Sequence, residues 1–291
     1  MTENKSPIPA SSTGKQPGDD AKPQAKFVTG STMRHVVVMA STGAIGLVAI
    51  FMVDLANLFY ISLLGQKELA AAIGYAATIM FFAVSVCIGF TIAATAITAR
   101  AIGSGEERKA KAFAGASLLF SLGIGIAIAA ILYLTINQTL SLLGATGETR
   151  EIAAHFMRIT VPSIPLLGLG MCASGLLRAI GDARRAMYVT LTSGVAAAFI
   201  DPLMIFYFDL GITGAAFSVV IVRVLFVIVG FHGTMTVHKM LAMPTRQEIS
   251  EFSRPFISIG TPAVLTQIAT PVGNAYITGA IAPFGDDAVA G

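Results

Sequence analysis

Two aspartates stand at depths where an acid is costly. Asp201 lies about two-thirds of the way along the apolar run 186–208, and Asp54 sits inside the apolar stretch FMVDLANLFYISLLG. On insertion scales a carboxylate at the centre of hydrocarbon costs about 2.5–3.5 kcal/mol. An acid kept there is a candidate for ion or proton handling, because low polarity favours its neutral form and a hard cation such as Na⁺ suits its oxygens. The other reading is that each acid only caps a break or pairs with a neighbouring helix. Pro202 follows Asp201 directly, offers no N–H to the carbonyl of Ala198 and biases Asp201 away from helical geometry. The pair predicts a local helix break beside an acid, a discontinuity that transporters use to hold ions. Asn57 is three residues beyond Asp54 and shares its helical face. Arg223 lies near mid-depth in another apolar run. It is open as a counter-charge for Asp201 or Asp54, as a snorkelling side chain, or as the wall of a protein-lined groove.

These residues must be carried by membrane helices. Of 291 residues 55% are hydrophobic and only 12% charged, with mean hydropathy +0.77, against about 25% charged in soluble domains. Seven apolar spans are expected at about 36–64, 69–99, 112–136, 152–180, 186–208, 211–241 and 256–284, each long enough for the roughly 20 residues a bilayer needs. Residues 1–34 are polar, with four prolines and scattered lysines, and read as a disordered tail without the apolar core and cleavage site of a signal peptide.

Lysine and arginine alternate sharply between the loops. The tail and the second, fourth and sixth loops carry fifteen of them, and the opposite loops only Lys67 and Arg150. This bias predicts a cytoplasmic N-terminus. Asp54 and Asp201 then run in the same direction at similar height in the outer half, and would line one cavity if the first and fifth spans are neighbours.

Other residue types add less. Cys87 and Cys172 both fall in apolar spans and suggest neither a disulfide framework nor a thiolate metal site. The four histidines show no ligand spacing. Pro162 and Pro165 predict a kink in the fourth span and Pro271 one in the seventh. Gly43, Gly46, Gly123, Gly125, Gly168 and Gly170 read as helix-packing positions. A shift of 220 residues sets Leu64–Ala70 against Phe284–Ala290 and Asp54 opposite Asn274, as if the seventh span opened a second copy of a six-helix unit.

The ordered set of motifs resembles the multidrug and toxic compound extrusion (MATE) family, nearest its DinF-like branch. The matching stretches are Val53-Asp54 with Gly65 eleven residues on, Ala99-Arg100-Ala101-Ile102-Gly103-Ser104-Gly105, and Gly175 to Arg184. Asp201-Pro202 with Gly211-Ile212-Thr213-Gly214-Ala215-Ala216 follows, and then Thr270-Pro271-Val272-Gly273-Asn274 onward. The likeness covers about residues 34–291. It implies an all-α polytopic membrane protein: a six-helix N-terminal lobe (35–242) of a twelve-helix transporter, then a linker and first helix of a second lobe (243–291). It further implies that Asp54 and Asp201 form the coupling-ion site, supported by Asn57, Pro202, Arg223 and Asn274. Two departures stand out. Many relatives have Asn four residues before the helix-five acid, where this chain has Ala197, and the first span lacks the proline at which some members bend.

The expected function is secondary antiport across the cell inner membrane: export of organic cations, drugs or toxic metabolites against H⁺ or Na⁺. No cofactor and no enzymatic chemistry are expected. Expected partners are membrane lipid, a small organic cation and the missing C-terminal lobe, in the same full-length chain or a second copy, and no nucleic acid. One lobe cannot close a two-lobe cavity, so a partial chain is expected. A lipid-linked oligosaccharide flippase of the same superfamily and a non-transporting membrane fragment remain as alternatives.

Overall fold

The computed structural model describes residues 32–63 and 67–281, and among them every regular element is helical. Eight α-helices run α1 Thr32–Leu63, α2 Lys67–Gly103, α3 Glu107–Leu142, α4 Gly147–Thr160, α5 Ile164–Ala179, α6 Ala183–Pro202, α7 Gly211–Phe231 and α8 Arg246–Ile281. Six of the helical segments are long and apolar enough to cross a membrane, and α1, 32 residues long, occupies the first expected span. The tail 1–31 falls outside the described residues, as do Leu64, Gly65, Gln66 and the whole of Phe284–Ala290 from the 220-residue repeat comparison.

The helices overrun the apolar runs that mark them. Helix α3 extends from Glu107 to Leu142, beyond the expected 112–136, because its first turn stays helical on charged residues outside the apolar core. Helix α8 starts ten residues before its expected span. A reciprocal cap explains this: the Thr245 amide donates to Glu248 Oε2 at 2.8 Å and the Glu248 amide donates to Thr245 Oγ1 at 3.3 Å. The sequence Thr-Arg-Gln-Glu is thus a capping box that satisfies two otherwise orphaned N–H groups. The fourth span is two helices, α4 and α5, joined by a 3₁₀ turn at Val161–Ser163. Pro162 and Pro165 remove donors there, as the kink expectation required. Helix α8 continues through Pro255, Pro262 and Pro271.

Packing sorts the molecule into two ends. Toward one end, Tyr75, Leu140, Met157, Val161 and Ile164 of α2 to α5 form a buried cluster. Toward the other, Phe113, Cys172, Leu176, Phe252 and Phe256 form a second, with the Phe252 and Phe256 rings 5.0 Å apart. The basic loops meet beside this second cluster. Lys109 pairs with Glu251, Arg108 with Glu248 at 3.5 Å, and the Ala242 amide donates to the Lys111 carbonyl at 3.2 Å. On the next turn, Asp182 accepts from Arg185 and lies 2.9 Å from His238 Nε2. Burial alone would raise the Asp182 carboxyl, but its hydrogen bonds with His238 and Arg185 outweigh that and hold it below the usual carboxylate range.

Large apolar side chains elsewhere point outward: Leu134 and Phe199 are 76% and 74% exposed. That is the distribution a lipid solvent permits, since burial of apolar groups against lipid gains nothing further. Helix contact instead needs small residues. A Cβ on Gly89 would sit 2.6 Å from the Val264 backbone nitrogen, and one on Gly170 2.3 Å from the Phe226 ring. Gly125 has the same role against Pro165. Gly43 and Gly123 do not: nothing lies within 4 Å of a Cβ built there.

Candidate functional site

The acid on α6 is positioned by its own helix first. Gly181 takes φ +86°, closing α5, and the next residue, Asp182, caps α6 by accepting the Arg185 amide at 3.1 Å. Counting from that cap, Ser193, Ala197 and Asp201 recur every four residues on one buried face. Asp201 is 4% exposed. The expected break at Asp201-Pro202 does not occur. Helix α6 runs through both residues and then widens into a π-helical turn, Leu203–Tyr207, with the Phe208 amide reaching back to Leu203 O at 3.1 Å. The ladder resumes at once past the missing Pro202 donor, with the Leu203 amide on the carbonyls of Phe199 and Ile200, and widens only beyond it.

Helix α7 supplies the partner. The chain reverses through Asp209 (φ 52°) and Gly211 (φ 51°), the short turn the sequence places there. A Cβ on Gly214 would stand 2.4 Å from the Met204 carbonyl oxygen, so only glycine lets α7 press against the π turn. One turn on, fully buried Ser218 donates its hydroxyl to Asp201 Oδ1. Ser218 and Gly214 are site residues that sequence reasoning missed. Their signal was available: small residues four apart on the helix that follows the acid.

Helix α1 packs along α6, which meets the condition set for the two acids. The helices run parallel, and two rungs fix their register. Thr190 lies 3.8 Å from where a Gly46 Cβ would be, and the Tyr60 and Phe206 ring centroids are 6.2 Å apart. Asp54 and Asp201 fall between these rungs. Asp54 is about eight residues above the lower rung and Asp201 about eleven, so at 1.5 Å per residue their heights differ by about 4.5 Å. The side chains of Asp54 and Asn57 lie outside the described part of the structure.

Arg223 is not the counter-charge of Asp201. Its Nη1 donates to the Thr160 carbonyl at 2.9 Å and to Ser163 Oγ at 2.7 Å, filling the acceptors that the 3₁₀ turn between α4 and α5 leaves open. Asn274 is exposed on α8, which packs on α2 and α3, and has no hydrogen bond among the described residues. Ala197 is buried one turn before Asp201, so that level of the face is apolar.

Comparison with known proteins agrees with this architecture. The chain is 27% identical over 242 residues to multidrug export protein MepA of Staphylococcus aureus (strain bovine RF122 / ET3-1), covering 80% of this chain and 52% of the relative. It is 28% identical over 264 residues to an FAD transporter of Shewanella oneidensis, covering 88% and 58%. It therefore spans little more than half the length of the curated relatives it matches. Among solved structures, a MOP superfamily transporter from Pyrococcus furiosus, described as having a binding pocket of reversed polarity, superposes with TM-score 0.78 at 23% identity, over 86% of this chain and 56% of the other. The same values hold for the outward-facing conformation of a multidrug resistance MATE family transporter; at that identity the likeness is one of fold. The family model for MatE matches residues 43–203, more than half of the chain, from within α1 through both aspartates to just past Pro202, and the chain belongs to that family.

Proposed function

We propose that this chain is the N-terminal part of an antiporter that exports organic cations, drugs or toxic metabolites in exchange for protons or sodium. The observation that carries this reading is Asp201: a buried acid held by a neutral hydroxyl, one helix away from Asp54 and nearly level with it. A serine hydroxyl donates to a carboxylate and accepts from a carboxylic acid. Asp201 therefore keeps a partner in both protonation states, which a fixed cationic partner would not allow. Proton binding removes the charge that holds a cation, and proton loss restores it. A difference in cation affinity between the two states supplies the coupling.

In this reading residues 35–242 form a six-helix lobe, the linker and α8 open a second, and the basic loops face the cytoplasm of an inner-membrane protein. A non-transporting fragment is the competing case. The oligosaccharide flippase is disfavoured, because it needs a cationic cavity and Arg223 is engaged with Thr160 and Ser163. The names of the relatives differ in cargo, a multidrug exporter and a transporter of FAD, an anionic dinucleotide, so both charge classes belong in the test.

The experiment is transport by the full-length protein in proteoliposomes, with Asp54→Asn and Asp201→Asn, under an imposed pH or Na⁺ gradient. Loss of organic-cation export in both variants, with insertion intact, is the expected result. Wild-type export by both would end the reading, and FAD transport without cation transport would replace its cargo.

A further inference from the structure

The lower rung of the α1–α6 contact borders a cavity that the acid site does not use. It measures about 70 Å³ and is lined by Met39, Thr42, Gly43 and Gly46 of α1, Arg178 at the end of α5 and Thr190 of α6, among others. Arg178 is half-buried, and among the described residues it has no hydrogen-bond or ion-pair partner. A guanidinium withdrawn from water and left without an acceptor is a costly arrangement. It contrasts with Arg223 and Arg185, whose guanidiniums both find acceptors.

Depth and size narrow what Arg178 faces. Thr190 is about seven residues into α6, roughly 10 Å along the axis from its first residue, which is the level of the headgroup–acyl boundary. At 70 Å³ the cavity is far below the ~300–1,000 Å³ of sites for drug-sized ligands. It admits one small oxyanion. The Thr190 hydroxyl reaches its own helix at Ala186 O only at 3.5 Å, so it is free to turn toward an anion. Gly43 has open space where a side chain would be, and keeps the cavity clear.

We propose that this cavity seats the phosphate of an anionic phospholipid from the leaflet beside the basic loops, with Arg178 as its principal donor and the acyl chains lying along the α1–α6 groove. Lipid is the favoured source because the cavity lies at bilayer-headgroup depth between two helices, and an arginine fork matches a phosphate edge.

The test is native mass spectrometry of the purified full-length protein with phosphatidylglycerol, phosphatidylcholine or inorganic phosphate. Wild type retains a tight phosphatidylglycerol adduct that phosphatidylcholine does not form and millimolar inorganic phosphate does not displace. Arg178→Met weakens that adduct at least about tenfold, and Arg178→Lys, which keeps the charge but not the fork, weakens it less. Gly43→Leu, which fills the cavity with Arg178 in place, weakens it equally, so a folding failure of the arginine variant leaves the proposal testable. Equal binding of both lipids, adducts unchanged in Arg178→Met and Gly43→Leu, or no adduct on wild type would overturn it. Displacement by inorganic phosphate would also overturn it, by assigning the site to a free anion.

Discussion

Helix α7 carries two polar contacts five residues apart that solve opposite problems. At Ser218 a hydroxyl reaches across to the Asp201 carboxylate, while at Arg223 a guanidinium reaches across to Thr160 O and Ser163 Oγ. The first pairing tolerates a change of charge, because the hydroxyl both gives and takes a hydrogen bond. The second does not, because a guanidinium only donates and its partners are a carbonyl and a hydroxyl. Two charges that a linear reading leaves open to pair with each other are kept apart, one on a hydroxyl that suits either protonation state and the other on acceptors that suit only a cation.

The largest expected effect separates the two. Asp201→Asn should bring coupled transport by the full-length protein to background while leaving its thermal midpoint in detergent nearly unchanged. Arg223→Met should do the reverse in kind, costing about 1.5–3 kcal/mol of stability through loss of charge-assisted hydrogen bonds. The double variant should show additive losses. Mutual rescue would mean that the two charges do interact and would dissolve the contrast.

Next in size is the close approach that lets Ser218 reach the acid. Gly214→Ala must push α7 off the Met204 carbonyl, and a loss of about 1–3 kcal/mol is expected, as for overpacked interiors. An unchanged melting temperature would show that the approach is not needed. Ser218→Ala keeps the backbone contact and leaves Asp201 without this donor. It should cost about 1–3 kcal/mol and displace the pH profile of transport, whereas Ser218→Thr should restore the profile.

The smallest effect lies at the basic end, as a control for acids that are fixed by charge. Asp182, held below the usual carboxylate range by His238 and Arg185, contributes stability that is present above its unfolded pKa, about 3.9. That stability is lost as pH falls through its lower folded value. Asp182→Asn should therefore destabilise at neutral pH, with the gap from wild type narrowing in acid. A gap that stays constant with pH would show the carboxylate charge is not what matters there.

Much of this could be read from the chain. A low fraction of charged residues and the alternation of basic loops required a bundle of membrane helices, and the kink at Pro162 and Pro165 followed from absent donors. What went astray did so for identifiable reasons. Pro202 suggested a break because removing a donor disrupts an α ladder; the helix instead continued, since the next amide found two earlier carbonyls, and it widened only in the turn that follows. Arg223 was left open as a counter-charge because depth along a span says nothing about azimuth. Gly43 and Gly123 looked like packing residues because composition does not reveal which face meets a neighbour.

Sequence alone was enough for the solvent and for the places of the acids along the chain, since hydropathy and charge are properties of residues counted along a line. Which hydroxyl meets Asp201, which carbonyl takes Arg223 and which arginine borders the small cavity between α1 and α6 depend on how helices rotate and approach. Those choices turn on contacts of a few ångströms between residues far apart in the chain, and packing alone decides them.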